Sequence, residues 1–270
     1  MSTPIISVII PTYKPGEYLW SCLDSLYKQT LPRDQFEIII VLNGDINPYD
    51  DMIEKYIALN QPHNNVQLIT SIIAGVSKAR NMALDLARGQ YVCFIDDDDW
   101  VSDNYLEQLL IPAKQHSIIV ANVKCYIESA KVYTDDYISK AYSAIYKETN
   151  VSCLKARSFF GSACCKLISK DCINNRRFNT DFKIGEDSLF MFSISDKIST
   201  ISTASSNAIY YRRVRSSSVS QTKKSINILL QQAVRQAKAY TGIYLSNIRG
   251  YSFLFFLTRY LAIVKNLIIK

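Results

Sequence analysis

Two rhythms of apolar and polar positions alternate along the first 110 residues. ISVIIPTY (residues 6–13) is a near-continuous apolar run, the pattern of a buried strand. Pro15 and Gly16 mark a turn, after which Leu19, Cys22, Leu23, Leu26 and Tyr27 recur at helical spacing. FEIIIVLNG (residues 36–44) repeats the β-branched strand pattern and ends in a turn. Residues 50–59 predict a helix and VQLIT (residues 66–70) a short strand. Residues 77–88 predict a helix with Ala79, Ala83, Leu86 and Ala87 on one face and Gly89 as its stop. YVCFI (residues 91–95) is the next strand.

This alternation predicts an α/β fold, a Rossmann-like and mostly parallel sheet flanked by helices. Ligands of such sheets bind beyond the carboxyl ends of the strands. PTY, LNG and the run Asp96, Asp97, Asp98, Asp99 all follow strands, so they belong on one edge. The middle is less regular. IIVANVKCYI (residues 118–127) reads as one strand, and residues 129–149 as a polar, Tyr-rich mobile loop with a strand. Residues 182–195 read as a turn and helix, 208–211 as a strand, and the chain from 225 onward as a helical C-terminal extension. These patterns divide the chain into a domain at 1–224, with halves at 1–110 and 111–224, and a basic apolar segment at 225–270.

Charge sharpens the division. The net formal charge is +7, yet residues 197–270 carry twelve Lys and Arg with no Asp or Glu. The remainder is therefore acidic, and the tail invites an anionic partner. GYSFLFFLTRYLAIVKNLIIK is very apolar, but Arg259 and Lys265 cut it below the roughly 20 residues of a membrane span. It either packs on the body or lies in a membrane interface. Seven cysteines with no CxxC pair predict free thiols, and no secretory leader pattern opens the sequence. A cytoplasmic protein, peripheral at the inner face of a bacterial inner membrane, is the expectation. No nucleic-acid motif is present, and a homo-oligomer is left open.

Four adjacent carboxylates repel one another unless a cation compensates them. Oxygen ligands without nearby His or Cys suit Mg²⁺ or Mn²⁺, which complete their shells with phosphate oxygens. A solvated acidic turn fits the same four residues. Glu186 and Asp187 follow Gly185 in KIGEDSLFMF, where Asp187 fits either a general base at a pocket rim or a helix cap. Lys78, Arg80, Arg212, Arg213 and Arg215 are the basic candidates for phosphate. His63 and His116 are the only histidines and neither sits in a motif, which argues against a Ser–His triad.

SVIIPTYKPGEYLWSCLDSLYKQT, EIIIVLNGD, GVSKARNMALDLARGQYVCFIDDDDWVSDNYL and KLISKDCINNRRFNTDFKIGEDSLF, in this order, resemble the family 2 glycosyltransferases, inverting enzymes of GT-A fold. The resemblance spans about residues 5–220. It implies that Pro11, Thr12 and Tyr13 form the first-strand turn, with Tyr13 against the nucleotide base. Asn43 stands where the family has the aspartate that reads uracil. This is a departure, since Leu42-Asn43-Gly44 replaces Asp-Asp-Gly, and UDP stays the favoured nucleotide. Arg80 is implied near the base and diphosphate. Asp96 and Asp98 match the DxD motif, touching ribose and metal, with Asp97 an alternative register. Asp187 matches the catalytic base, with Glu186 beside it, and residues 212–218 a basic segment closing over the diphosphate.

The resemblance thus implies a metal-dependent hexosyl- or N-acetylhexosaminyltransferase using Mn²⁺ or Mg²⁺. Its expected donor is a UDP-sugar. Its expected acceptor is a polyprenyl-diphosphate-linked saccharide in O-antigen, capsule or other surface-glycan synthesis. Two rivals are a non-catalytic nucleotide-sugar-binding partner subunit and a metal-dependent phosphatase.

Overall fold

A computed structural model describes residues 3–60, 65–215 and 226–268. The long apolar runs become strands β1 (Ile6–Thr12) and β2 (Phe36–Asn43), buried at every position. Between them lies α1 (Tyr18–Tyr27), which buries Leu19, Cys22, Leu23 and Leu26 as its spacing requires. Then follow α2 (Tyr49–Asn60), the half-buried β3 (Val66–Ser71), α3 (Val76–Leu86), β4 (Tyr91–Phe94), the short β5 (Trp100–Val101) and α4 (Tyr105–Leu110). The second half contributes β6 (Ser117–Val120), β7 (Asn122–Ile127), β8 (Val132–Thr134), α5 (Tyr137–Ile145), β9 (Lys166–Ser169), α6 (Lys170–Ile173) and α7 (Glu186–Ser193). It ends with β10 (Thr200–Thr203), β11 (Ile209–Val214), α8 (Ile226–Ser246) and α9 (Phe253–Ile268).

Seven strands form the main sheet in the order β10-β6-β9-β4-β1-β2-β3. All of its pairs are parallel except those of β9, which runs antiparallel to both β4 and β6. One sheet therefore continues across residue 110. The order places the ends of β1, β2 and β4 side by side, so the turns after Thr12 and Asn43 and the carboxylate run share one edge. A second sheet, β5-β11-β7-β8, stands next to the carboxylates.

Several local expectations are corrected. Residues 118–127 are two strands of different sheets, β6 and β7, parted at Ala121, whose N–H donates to the Cys165 carbonyl at 3.0 Å. An uninterrupted apolar run cannot reveal this, because the change of sheet is made by distant partners. Residues 129–149 hold β8 and the helix α5. Asp136 caps α5, accepting from the N–H groups of Ile138 and Ser139, and the Ser139 hydroxyl completes a capping box. Gly89 does not stop α3, which ends at Leu86 with Ala87 already extended. The need for glycine there is a close crossing. A Cβ on Gly89 would lie 2.6 Å from the Ser7 nitrogen and 2.8 Å from the Ile6 carbonyl carbon. The Gly89 N–H donates to Ser7 Oγ at 2.9 Å, Ser7 Oγ donates to Glu37 Oε1 at 2.7 Å, and Arg88 pairs with Glu37.

The C-terminal helices lie against the body. Phe255 meets Phe160 edge-on at 4.9 Å, and Tyr251 stacks on Phe192 at 5.2 Å. Tyr240 of α8 shares a hydrogen bond of 2.7 Å with Ser188 of α7. Their other side stays apolar and open: Phe253, Leu254, Leu257, Leu261 and Val264 of α9 are exposed. Among the described residues, no helix is long and apolar enough to cross a membrane.

Because the Gly89 contacts are backbone atoms that cannot rotate away, Gly89→Ala is expected to destabilise the fold by about 1–3 kcal/mol. Urea unfolding at unchanged slope measures it. A loss below about 0.5 kcal/mol, the range of ordinary surface substitutions, means the crossing can spread at little cost.

Candidate active site

A cleft of about 520 Å³ opens at the shared strand edge, lined by Thr12, Tyr13, Asn43, Arg80 and three of the four aspartates. A larger open hollow of about 710 Å³ lies among Arg88, Tyr91, His116 and Lys170. Arg88 there is committed to Glu37, and the Lys170 ammonium to the Ala87 carbonyl. Arg80, Arg215 and three of the four aspartates converge in the smaller cleft.

The four aspartates take four different partners. Asp96 Oδ1 pairs with Arg80 at 2.9 Å, Asp97 accepts from the Thr12 hydroxyl, and Asp98 pairs with Arg215 at 2.5 Å. Asp99 turns inward. It is 4% exposed and accepts from the Tyr210 hydroxyl and the Arg213 N–H, both at 2.7 Å. That leaves Asp96, Asp97 and Asp98 lining the cleft. Burial, reinforced by the neighbouring carboxylates, pushes Asp97 up to about 6 despite the opposing Thr12 hydrogen bond. Asp98 and Asp99 are raised for the same leading reason.

Arg80 is the hub. It is 3% exposed, and its guanidinium spans from Asp96 to Asp187 Oδ1 at 2.5 Å. Burial alone would lower its pKa, but Asp187 and then Asp96 outweigh burial and raise it, so it stays charged. It lies one turn into α3 on the buried face with Ser77 and Ala79, whereas Lys78 is exposed. Asp187, the second partner of Arg80, comes from α7. Gly185 precedes it at φ +83°, a conformation suited to glycine, and a Cβ there would also strike Gln236 Nε2 at 2.3 Å. Neither carboxylate is the cap. Glu186 and Asp187 occupy the first helical turn, where the helix dipole favours negative charge. Asp187 Oδ2 accepts the Ala163 N–H at 3.1 Å. Burial and the adjacent Asp187 raise Glu186.

At the other end of the cleft, the Tyr13 ring is half exposed and lies over Gly44, where a Cβ would come within 2.6 Å of it. Asn43 is buried. Its Nδ2 donates to the Thr12 carbonyl at 2.7 Å and its Oδ1 accepts the Gly75 N–H at 2.8 Å. The amide thus ties the end of β1 to the start of α3, leaving one lone pair of Oδ1 as its spare acceptor.

Two arginines expected at the diphosphate are placed elsewhere. Arg212 pairs with Asp136 at 2.7 Å and with the Cys125 sulfur, on the inner side of β11. Arg213 sits over the rings of Tyr18 and Trp100, 4.6 and 4.7 Å from their centroids. Neither lines the cleft; Arg215 does. Strand alternation puts Arg213 and Arg215 on the face opposite Arg212, but the pattern alone does not say which face meets the carboxylates. Residues 216–218 of that segment, like His63, lie outside the described residues. The Ala163 N–H had no side-chain signature to find it by.

Among the described residues no three His, Cys, Asp or Glu side chains gather as a metal cage. Magnesium-type sites need only one or two carboxylates when phosphates supply the rest. Asp96 and Asp98 fit that role, and Asp98 already faces a cation, the Arg215 guanidinium.

A family model described as "Glycosyl transferase family 2" matches residues 7–177. The chain is 28% identical over 231 residues to a putative glycosyltransferase, EpsH, of Bacillus subtilis, covering 84% of this chain and 66% of that protein. It is 28% identical over 215 residues to the poly(ribitol-phosphate) beta-N-acetylglucosaminyltransferase TarS of Staphylococcus aureus, covering 77% of this chain and 35% of TarS. The chain thus spans from a third to just under two thirds of these relatives. The crystal structure of S. aureus TarS 1–349 in complex with UDP-GlcNAc superimposes with a TM-score of 0.66 at 22% identity, covering 97% of this chain and 80% of that one, and shares the fold. The family model covers well over half the chain, and the carboxylate run that it spans lies in a cleft facing Arg80: the chain belongs to glycosyl transferase family 2.

Proposed function

We propose that this protein is an inverting glycosyltransferase that moves a sugar from a UDP-sugar to a hydroxyl of a cell-surface glycan. The observation that carries the reading is the Arg80 bridge. It sets Asp187, a base candidate, and Asp96, a donor-site carboxylate, on one guanidinium. Single displacement needs both, since the base must face the acceptor while the leaving diphosphate sits at the carboxylates. Asp187 accepts the proton of the acceptor hydroxyl, whose oxygen attacks the anomeric carbon and inverts it. Arg80 and Arg215 supply positive charge where the diphosphate departs. A divalent cation held by Asp98 and Asp96 would neutralise the charge growing on that leaving group. Tyr13 offers a face to the base, and Asn43 its remaining lone pair to a ring N–H.

TarS, by its name, glycosylates poly(ribitol-phosphate), and this chain resembles it. We extend to this chain an anionic carrier, either a polyprenyl-diphosphate-linked saccharide or a polyol-phosphate chain. The basic C-terminal segment suits both. That segment also supports contact with an anionic membrane through the exposed stripe of α9, where Leu254, Leu257 and Leu261 accompany the cation Lys265. The phosphatase reading loses ground because β1 ends in Pro11 and Thr12, with no carboxylate nucleophile.

Asp187→Asn is expected to cut transfer by about 10²-fold or more while UDP still binds; equal loss of both would remove the base assignment. Calorimetry should show UDP binding in Mn²⁺ that disappears on chelation, and metal-independent binding would count against Asp96 and Asp98 as ligands. Leu257→Glu with Leu261→Glu should reduce co-sedimentation with vesicles of phosphatidylglycerol. The pair is preferable to deleting residues 226–270, which would uncover Phe160 and Phe192. Unchanged sedimentation would remove the membrane contact.

A further inference from the structure

Lys166, at the first position of β9, is 1% exposed. Its amine donates to two main-chain carbonyls, Ser162 at 2.6 Å and Cys164 at 2.5 Å. No ion pair to a carboxylate accompanies it among the described residues. Burying an ammonium with neutral acceptors is unfavourable, and burial does lower its pKa, with the surrounding thiols and Asp187 opposing. A residue this expensive needs a reason beyond filling space, which an apolar side chain would do better.

The reason lies in the segment it grips. Ser162 is extended, and Cys164 bridges to Phe94, the last residue of β4 and two positions before Asp96. The Ser162 carbonyl and the Ala163 N–H belong to one planar trans peptide and therefore point in opposite directions. Lys166 takes the Ser162 and Cys164 carbonyls on one side. The Ala163 N–H, on the other, donates to Asp187 Oδ2 at 3.1 Å. Asp187 is thus gripped from two directions, Oδ1 by Arg80 and Oδ2 by a peptide whose own orientation is set by Lys166.

We propose that Lys166 is a positioning residue for transfer: by clamping residues 162–164 it aims the Ala163 N–H and thereby fixes the rotamer of Asp187. The inference rests on the transferase reading, with Asp187 as base. It assigns a role to a side chain that touches neither nucleotide nor sugar.

The test uses the full chain, with UDP release from UDP-GlcNAc, water serving as acceptor, and UDP calorimetry as two separate readouts. Lys166→Met keeps the apolar stem and removes the amine. Turnover should fall between about 10- and 100-fold, the size of an ångström-scale misplacement of a catalytic group, with the UDP dissociation constant unchanged. Placed on Asp187→Asn, the same substitution should add no further loss, because both act through one carboxylate. Should Lys166→Met fail to fold by its thermal transition, Lys166→Gln, which keeps a neutral donor on a shorter stem, carries the comparison and should show a smaller turnover loss. Unchanged turnover in a folded variant overturns the proposal. So does a parallel loss of turnover and UDP affinity, which would mark a general structural role, and so does an additive loss on Asp187→Asn. Wild-type protein that neither binds UDP nor releases it from UDP-GlcNAc overturns the transferase reading itself, and this inference with it.

Discussion

The ion triad that Asp96 and Asp187 form around the buried guanidinium of Arg80 is the constraint on which the rest of the site depends. A guanidinium that is 3% exposed needs compensation, and only the loss of both carboxylates would leave it an unpaired charge in a dry place. The fold answers by bringing the end of β4 and the first turn of α7 to the same side chain on α3. Planar, forked guanidinium geometry lets one residue hold both carboxylates in a fixed mutual orientation. The spacing between Asp96 and Asp187 is thereby set by a rigid group and not by loops.

A second device orders the carboxylate run itself. Four aspartates in sequence would repel into a loose turn, but each has its own donor. Asp99 is consumed inward by Tyr210 and the Arg213 backbone, and this anchors the other three at the cleft. Arg213 is itself fixed over Trp100 and Tyr18, so the second sheet serves as a bracket that carries the acidic turn. The Trp100 that follows the carboxylates in DDDDW thus has a mechanical meaning: it seats the cation whose backbone holds Asp99.

Much of this was legible from sequence where the signal is local. The strands β1, β2 and β4, the helix α1 and the turns after them follow from apolar period and turn residues, and those turns do share an edge. The acidic pair at Glu186 and Asp187 opens α7 right after Gly185, although Gly185 and not Asp187 caps the helix. Illegible were the split of residues 118–127 between two sheets, the crossing at Gly89, and the assignment of Arg215 in place of Arg212 and Arg213 to the cleft. Each depends on which face of a strand meets which neighbour. The pattern of a single strand leaves that open.

By itself the sequence determined the elements, the carboxylate-rich edge and the family pattern, because these are written in residue types over short spans. Only the tertiary structure decided the pairings that make the site specific. Arg80 and Asp187 are 107 residues apart, and Arg215 and Asp98 are 117 apart. The Ala163 N–H and the carbonyls held by Lys166 are main-chain groups, present at every residue and distinctive only once the chain is folded. Such contacts follow from the register of strands and the packing of α3 against the sheet, where the constraint is on distances in space.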